Sequence, residues 1–315
     1  MSLSIITPHY NDFEGLKRIY SHLQEQTHSA WDWVIVDDKS DANTQDNIVK
    51  WHENLPDSKV QLYLNTEKTN ASVCRNLGAD LAKSNTLVFL DSDDKIAPDF
   101  VANRNVKFTH FAVFKNYYIL NENEEKIIKK VNHANYLDCF LAANFIWQTS
   151  CVLWNRVFFK EVGRFNPKLK RLQDIELSVR AIQHSTKYSV IDNTIDFYYK
   201  TKPISERKNF VLPVCNAVHL FISKLLETDN LNKHQLSLIS GYYFLCVRYF
   251  ERSGSKENIR LVQKNLSLFY KKKHISVKNF ILGYLLLKLY NYNILSAKKF
   301  VRGNRYLFKP KQIQN

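Results

Sequence analysis

The sequence predicts an α/β fold with a mostly parallel sheet, followed by a helical, basic C-terminal extension. Three observations carry this. Short apolar runs alternate with stretches of helical period over the first hundred residues. From Phe210 onward the apolar spacing is helical almost throughout. Charge divides the chain at the same place: 27 Lys and Arg stand against 26 Asp and Glu up to Phe210, and 18 against 4 beyond it. After Glu257 there are 13 basic residues and no acidic one. The expected boundary lies near Lys202–Pro213, with one α/β domain over 1–205 and a helical basic region over 206–315. The 315 residues accommodate two such domains at about 100–200 residues each.

Element by element, Leu3–Thr7 reads as a buried strand. Asp12 precedes Leu16, Ile19, Tyr20 and Leu23 at helical spacing and is a candidate N-cap. Trp33–Val36 is a second strand, ending at Asp37-Asp38, and a helix follows over Thr44–Asn54 with Ser40 or Asp41 as cap. Lys59–Leu64 is a third strand, Ala71–Lys83 a helix, and Thr86–Leu90 a fourth strand ending at Asp91. Strands and helices in this alternation form βαβ units, whose ligands bind beyond the carboxyl ends of the strands. That places Asp37, Asp38, Asp91 and Asp93 at one crevice. Further on, His110–Leu120 and Lys126–Val131 read as strands around a polar turn, Asn121–Glu124. Gln148–Trp154 reads as a strand, Val157–Val162 as a short helix and Gln173–His184 as a longer one.

Composition excludes several classes. Apolar residues make up 45%, too many for a disordered chain. The five scattered cysteines form no C-x-x-C, which argues for a reducing compartment over a disulfide framework or zinc ribbon. No secretory signal opens the sequence, and the longest apolar run, Phe280–Leu287, is well short of the ~20 residues of a membrane span. A cytoplasmic setting is expected. Neither G-x-G-x-x-G nor G-x-x-x-x-G-K-[ST] occurs, nor G-x-S-x-G, nor any H-E-x-x-H.

Four places hold chemistry. Asp91-Ser92-Asp93-Asp94 puts three carboxylates in four residues directly after a strand. They repel one another unless a cation sits among them, and hard oxygen ligands suit Mg²⁺ or Mn²⁺. A solvated acidic turn is the alternative. Asp38 ends a strand where a carboxylate can accept from a base or ribose. Arg75, in the first turns of a helix, can reach a phosphate or base edge; a surface Arg on a helix is the alternative. Asp174 opens an amphipathic helix, where it is either a cap or a general base.

In their order these segments resemble a family 2 glycosyltransferase of the A-type fold. The segments are Ser4-Ile5-Ile6-Thr7-Pro8-His9-Tyr10-Asn11, Val34-Ile35-Val36-Asp37-Asp38-Lys39-Ser40, Arg75-Asn76-Leu77-Gly78 and Phe89–Asp94. Thr149–Leu153, Val157–Asn166 and Gln173-Asp174 resemble that family's acceptor-side segment, so the likeness spans Met1–Ser185. It implies a nucleotide-sugar donor, usually UDP-linked, and a divalent metal, Mn²⁺ or Mg²⁺. Carried over by position, Pro8 and Tyr10 border the base, Asp38 accepts from it and Arg75 contacts the nucleotide. Asp91 lies against the ribose, Asp93 and Asp94 hold the metal, and Asp174 is the base of an inverting transfer.

The departures from the family pattern are Gln173 where Glu is usual, Lys39 for the Gly of a D-D-G-S turn, and Asn70 for Gly. Asn tolerates the left-handed backbone that Gly would supply there. The Q-x-x-R-W signature of processive synthases is missing, which points to one sugar per cycle. The implied role is a glycan or lipid-linked acceptor in bacterial surface polysaccharide synthesis, capsule or lipooligosaccharide. The cationic C-terminal region adds an anionic membrane as a partner, because a basic helix rich in Leu and aromatics lies at such interfaces. Rival readings are a nucleic-acid-binding protein, a non-catalytic nucleotide-sugar module and a nucleotidyltransferase. The basic region reads as helices without an RNA-binding signature, so nucleic acid is not expected.

Overall fold

In the computed structural model the described residues are 2–56, 58–121, 123, 125–130, 135–192, 194–201, 210–225, 227, 230–250 and 256–310. The first half runs β1 (Leu3–His9), α1 (Phe13–Gln24), β2 (Trp31–Asp37), α2 (Ala42–Glu53), β3 (Val60–Leu64), α3 (Ala71–Leu81), β4 (Thr86–Phe89), β5 (Lys95–Ile96), α4 (Phe100–Asn103), β6 (Phe111–Phe114), β7 (Tyr117–Leu120), β8 (Lys126–Lys129) and α5 (Tyr136–Leu141). Then come β9 (Val152–Asn155), α6 (Arg156–Glu161), α7 (Gln173–His184), β10 (Tyr188–Ile191) and β11 (Phe197–Lys200). The remainder is helical: α8 (Val211–Leu225), α9 (Lys233–Leu238), α10 (Ser240–Tyr249), α11 (Lys256–Lys271), α12 (Val277–Asn291) and α13 (Ala297–Phe308).

Two compact units result. The first comprises 1–131, 147–168 and 180–206; the second comprises 132–146, 169–179 and 207–315. The second therefore gathers two early segments beside the basic C-terminal region. Residues 202–209, at the expected boundary, lie outside the described residues, as does Val131 at the end of an expected strand.

The first unit is built on a seven-stranded sheet of order β10-β6-β9-β4-β1-β2-β3. β1 pairs in parallel with β2 and β4, and β2 with β3. Only β9 runs against its neighbours β4 and β6. The mostly parallel sheet expected from the βαβ rhythm is present. All seven residues of β2 are buried, which is why it reads as one unbroken apolar run apart from Asp32 and Asp37. A second sheet, β5-β11-β7-β8, flanks it in sequence.

Two expectations in the middle of the chain are corrected. The stretch 110–120 is two strands, β6 in the large sheet and β7 in the small one. Lys115 N–H donates to Ile191 O as the last rung on β10, Asn116 Nδ2 donates to Asp192 O, and from Tyr117 the chain pairs with β8 and β11 instead. Gln148–Trp154 begins as a 3-10 turn, Thr149–Cys151, before β9.

β1 places Pro8 where its missing N–H costs nothing. Ile6 O accepts from Leu90 N, so even-numbered residues of β1 face β4, but β1–β4 pairing ends at Ile6. Pro8 therefore faces the gap left where β4 turns away, and no ladder bond is lost. Odd residues face β2 for longer, and Asp38 N donates to His9 O.

Lys39 adopts φ of +61°, the left-handed conformation that Gly fills without strain. A side chain there costs about 1–2 kcal/mol, partly offset by the greater unfolded-state entropy of Gly. Lys39→Gly is expected to stabilise the protein by about 0.5–1 kcal/mol, read as a higher urea midpoint. A lower midpoint would mean that the Lys39 side chain holds the turn. Asn70 differs from expectation: its φ is −164°, extended, and its side chain accepts from Ser72 N and Val73 N. Asn is there to cap α3.

Candidate active site

The carboxyl ends of β1, β2 and β4 lie side by side, because register sets His9 opposite Asp37 and Ile6 opposite Phe89. The loops leaving them are stitched together. His9 Nε2 accepts from Asp12 N–H at 2.9 Å, so Nδ1 carries the proton and donates to Asp37 Oδ1 at 2.8 Å. Asn11 N donates to Ser40 Oγ, and Asp41 N to Asn11 Oδ1. Asp12 and Asp41 are the caps of α1 and α2, as the sequence suggests.

Asp37 is spent on this framework. Burial alone would raise its pKa, but hydrogen bonds from His9, Gln45 and Ser40 outweigh it and bring it down to about 2. Its stabilising contribution is present above the ordinary carboxylate value near 3.9 and is lost as pH falls through about 2. The predicted size is about 2 kcal/mol. Asp37→Asn keeps an acceptor for His9 and removes the titration. Urea midpoints followed from about pH 5 to pH 2 are expected to fall less steeply for the variant.

Asp38 is also buried, and its carboxylate is engaged. Oδ1 accepts from Thr69 N at 2.8 Å and from Thr69 Oγ1 at 2.5 Å, and Oδ2 pairs with Lys68 Nζ at 2.7 Å. Desolvation would raise its pKa, yet Lys68 and Thr69 hold it below the usual range. The same Lys68 ammonium lies 3.2 Å from the ring centroid of Tyr10, which is 51% exposed. Tyr10, Lys68 and Asp38 thus form one stack at the mouth of the crevice. Beside them, burial and the Asp38 charge push the Cys74 thiol up to about 12, so this thiol is not a nucleophile.

Arg75 is buried in the first turns of α3, not on the surface. Its Nη2 pairs with Asp91 Oδ1 at 2.6 Å, and its guanidinium lies 5.2 Å from the Phe165 ring. Phe165 is held by Asn76, whose side chain donates to Phe165 O and accepts from Phe165 N. The turn after β4 is anchored from α1: Ser92 Oγ donates to Asp12 Oδ2 at 2.7 Å and Arg18 Nη2 to Ser92 O at 2.8 Å. Gly15 permits this approach, since a Cβ there would sit 2.6 Å from Ser92 O.

Asp91, Asp93 and Asp94 each offer an oxygen, and these atoms lie within 4.8 Å of one another. Asp94 is only 3% exposed, with Ser150 Oγ and Lys200 N nearby. Burial, then the charges of Asp91 and Asp93, push its pKa well up, as expected of a buried carboxylate crowded by two others. An all-oxygen set of this kind fits Mg²⁺ or Mn²⁺.

Of the residues singled out from sequence, Pro8, Tyr10, Asp38, Arg75, Asp91, Asp93 and Asp94 lie together in the first unit. Asp174 belongs to the second unit, half-buried in the first turn of α7. Just before it, Leu172 has φ of +60°, a strained conformation for a branched side chain. Gln173 Nε2 donates to Leu169 O. Burial, then the Asp174 charge, push the Tyr242 hydroxyl well up, and that hydroxyl donates to Phe140 O at 2.7 Å. Lys68, Thr69 and Phe165 also belong to the site, although no sequence signal marks them individually. Phe165 stood inside a quoted motif, but Lys68 and Thr69 carry no local signal and reach Asp38 only through the fold.

Comparison with known proteins agrees with this architecture. Residues 4–104 match the model of glycosyl transferase family 2. The amylovoran biosynthesis glycosyltransferase AmsB of Erwinia amylovora is 29% identical over 216 residues, 63% of this chain and 70% of that protein. Among solved structures, S. aureus TarS 1–349 with UDP-GlcNAc has a TM-score of 0.61 at 16% identity, covering 98% of this chain and 90% of that one. The Pyrobaculum calidifontis mannosyltransferase PcManGT, solved with GDP-Man and Mn²⁺, gives 0.55 at 12% identity, covering 98% and 88%. The seven-stranded, mostly parallel sheet is therefore the A-type glycosyltransferase fold, with helices appended. The crevice is built within residues 4–104, the stretch that matches glycosyl transferase family 2, and with its glycosyltransferase relatives this makes the chain a glycosyltransferase.

Proposed function

We propose that the protein transfers a single sugar, with inversion, from a UDP-linked donor to a hydroxyl of a glycan or lipid-linked acceptor in bacterial surface polysaccharide synthesis. The observation that carries this reading is the Asp91–Asp93–Asp94 cluster at the carboxyl edge of β4, beside Arg75, Asp38 and Tyr10. Support for the donor comes from TarS, a fold neighbour solved with UDP-GlcNAc, and support for the pathway from AmsB, an amylovoran biosynthesis enzyme.

In this mechanism the uracil stacks on Tyr10 once Lys68 swings aside, and Asp38 accepts from the base. Asp91, braced by Arg75, accepts from a ribose hydroxyl. Asp93 and Asp94 would hold a divalent cation; when bound, it offsets charge on the diphosphate. PcManGT, with its Mn²⁺, supports that assignment. Asp174 takes the proton of the acceptor hydroxyl as its oxygen attacks the anomeric carbon. The new O–C bond forms opposite the breaking C–O bond, whose electrons leave with the diphosphate. Positioning and charge stabilisation supply most of the acceleration.

The test is a panel of UDP-, GDP- and ADP-linked sugars incubated with the full chain and Mn²⁺, scored for released nucleotide. Release of UDP from a UDP-sugar is expected. Transfer of the uridylyl group, releasing sugar 1-phosphate in place of UDP, would indicate nucleotidyl transfer, and binding of a UDP-sugar without turnover in any acceptor extract would indicate a non-catalytic module.

A further inference from the structure

Helix α12 is apolar around most of its circumference, and packing within its unit covers only one side. Gly283, Leu287 and Tyr290 are buried. A Cβ on Gly283 would sit 2.7 Å from the Phe308 ring, and Tyr290 stacks on Phe300 at 4.3 Å between centroids. On the other side, Val277, Ile281, Tyr284, Leu285 and Tyr292 are all exposed. At 100° per residue they fall within an arc of about 100°, one continuous stripe. Ile281 is 58% exposed and Tyr292 68%; Ile294, just past the helix, is 71% exposed. Soluble surfaces scatter such residues singly, and a contiguous patch marks an interaction site.

Charge identifies the partner. Lys288 lies within the stripe, its ammonium 5.0 Å from the Tyr284 ring. Lys271, Lys272, Lys273, Lys278, Lys298 and Lys299 are exposed on and around the same helix. No acidic residue follows Glu257 to neutralise them. A second copy of this chain would bring the same unopposed cations face to face. A nucleic acid would match the lysines but leave Ile281, Leu285 and Ile294 in water. A surface that is anionic outside and hydrocarbon beneath satisfies both. The 15-residue helix is about 22 Å long, shorter than the ~30 Å bilayer core, and among the described residues no helix is long and apolar enough to cross a membrane. An interfacial helix lies in the plane with its basic chains reaching headgroups.

We infer that the exposed face of α12 docks the protein onto an anionic phospholipid surface, with Ile281, Leu285, Tyr292 and Ile294 entering the acyl boundary and the surrounding lysines on headgroup phosphates. This surface is read without donor or acceptor, so its test is independent of the proposed transfer reaction.

Flotation of the full chain with phosphatidylcholine vesicles containing about 30% phosphatidylglycerol tests it, against phosphatidylcholine alone. Binding to the anionic vesicles is expected to exceed the neutral control about ten-fold and to weaken between about 0.1 and 0.5 M NaCl. Ile281→Glu/Leu285→Glu is expected to cut binding about ten-fold with an unchanged melting temperature, since both side chains are exposed. Lys278→Glu/Lys288→Glu is expected to cut anionic binding in the same way. Vesicle binding that survives the Ile281/Leu285 change overturns the stripe as the docking element. No binding to the anionic vesicles overturns the lipid partner; lipid-free self-association abolished by that change would then point to a second copy, and retention on RNA in a filter assay to a nucleic acid.

Discussion

Asp174→Asn is expected to lose about 10²–10⁴-fold in transfer to acceptor while its UDP affinity stays unchanged, the range a positioned general base contributes. The reasoning is chemical. Asn has the shape of Asp and can still accept a hydrogen bond, but it cannot hold the proton of an attacking hydroxyl. Asp174 stands half-buried in the first turn of α7, where either role is open to it. A carboxylate that only caps α7 would instead lower the melting temperature by roughly 1 kcal/mol of stability and leave turnover near normal. Single-turnover transfer rates, calorimetry with UDP and thermal melts on the same variant separate the two roles. Because Gln173 stands where a second acid is usual, a base at Asp174 would have one fewer negative neighbour in sequence, and Gln173→Glu is a useful companion. It is expected to raise the apparent pKa of the acidic limb of the pH–rate profile, since a nearby negative charge favours the protonated base.

Asp93→Ala is the second large effect. It is expected to abolish the gain in UDP affinity that Mn²⁺ gives the unmodified protein, and to cut turnover by about 10² or more. Of the three clustered carboxylates, Asp91 is tied to Arg75 and Asp94 is buried, whereas Asp93 is half-exposed. Removing it also relieves repulsion within the cluster, so the melting temperature in chelator is expected to hold or rise. Loss of Mn²⁺-dependent binding together with unimpaired stability cannot come from misfolding. Should the unmodified protein bind UDP equally well with Mn²⁺ and with chelator, the metal assignment for Asp93 and Asp94 fails.

Local features were legible in the sequence because their physics is local. Asp12 and Asp41 cap the helices they precede through bonds three residues long. The Gln173–His184 helix follows from its apolar spacing. Asn70 shows the limit of such reasoning. Its substitution for Gly suggested left-handed backbone, but two amide donors at the start of α3 make it an extended cap. The break at Lys115–Asn116 was not legible, since the apolar pattern runs through it and only the change of strand partners, from β10 to β8 and β11, divides it. Lys68 gave no signal, because nothing in its neighbourhood distinguishes an exposed lysine from one seated between Tyr10 and Asp38.

The sequence by itself determined the βαβ rhythm, the acidic turn after β4 and the cationic end of the chain. These depend on period, order and composition, which one dimension carries in full. The tertiary structure alone decided that Asp37 is consumed by His9 while Asp38 faces Lys68, and that Arg75 is buried against Asp91. It alone decided which side of α12 stays uncovered. Those outcomes depend on strand register and on which neighbour packs where, and partners tens of residues apart meet only once the chain has folded.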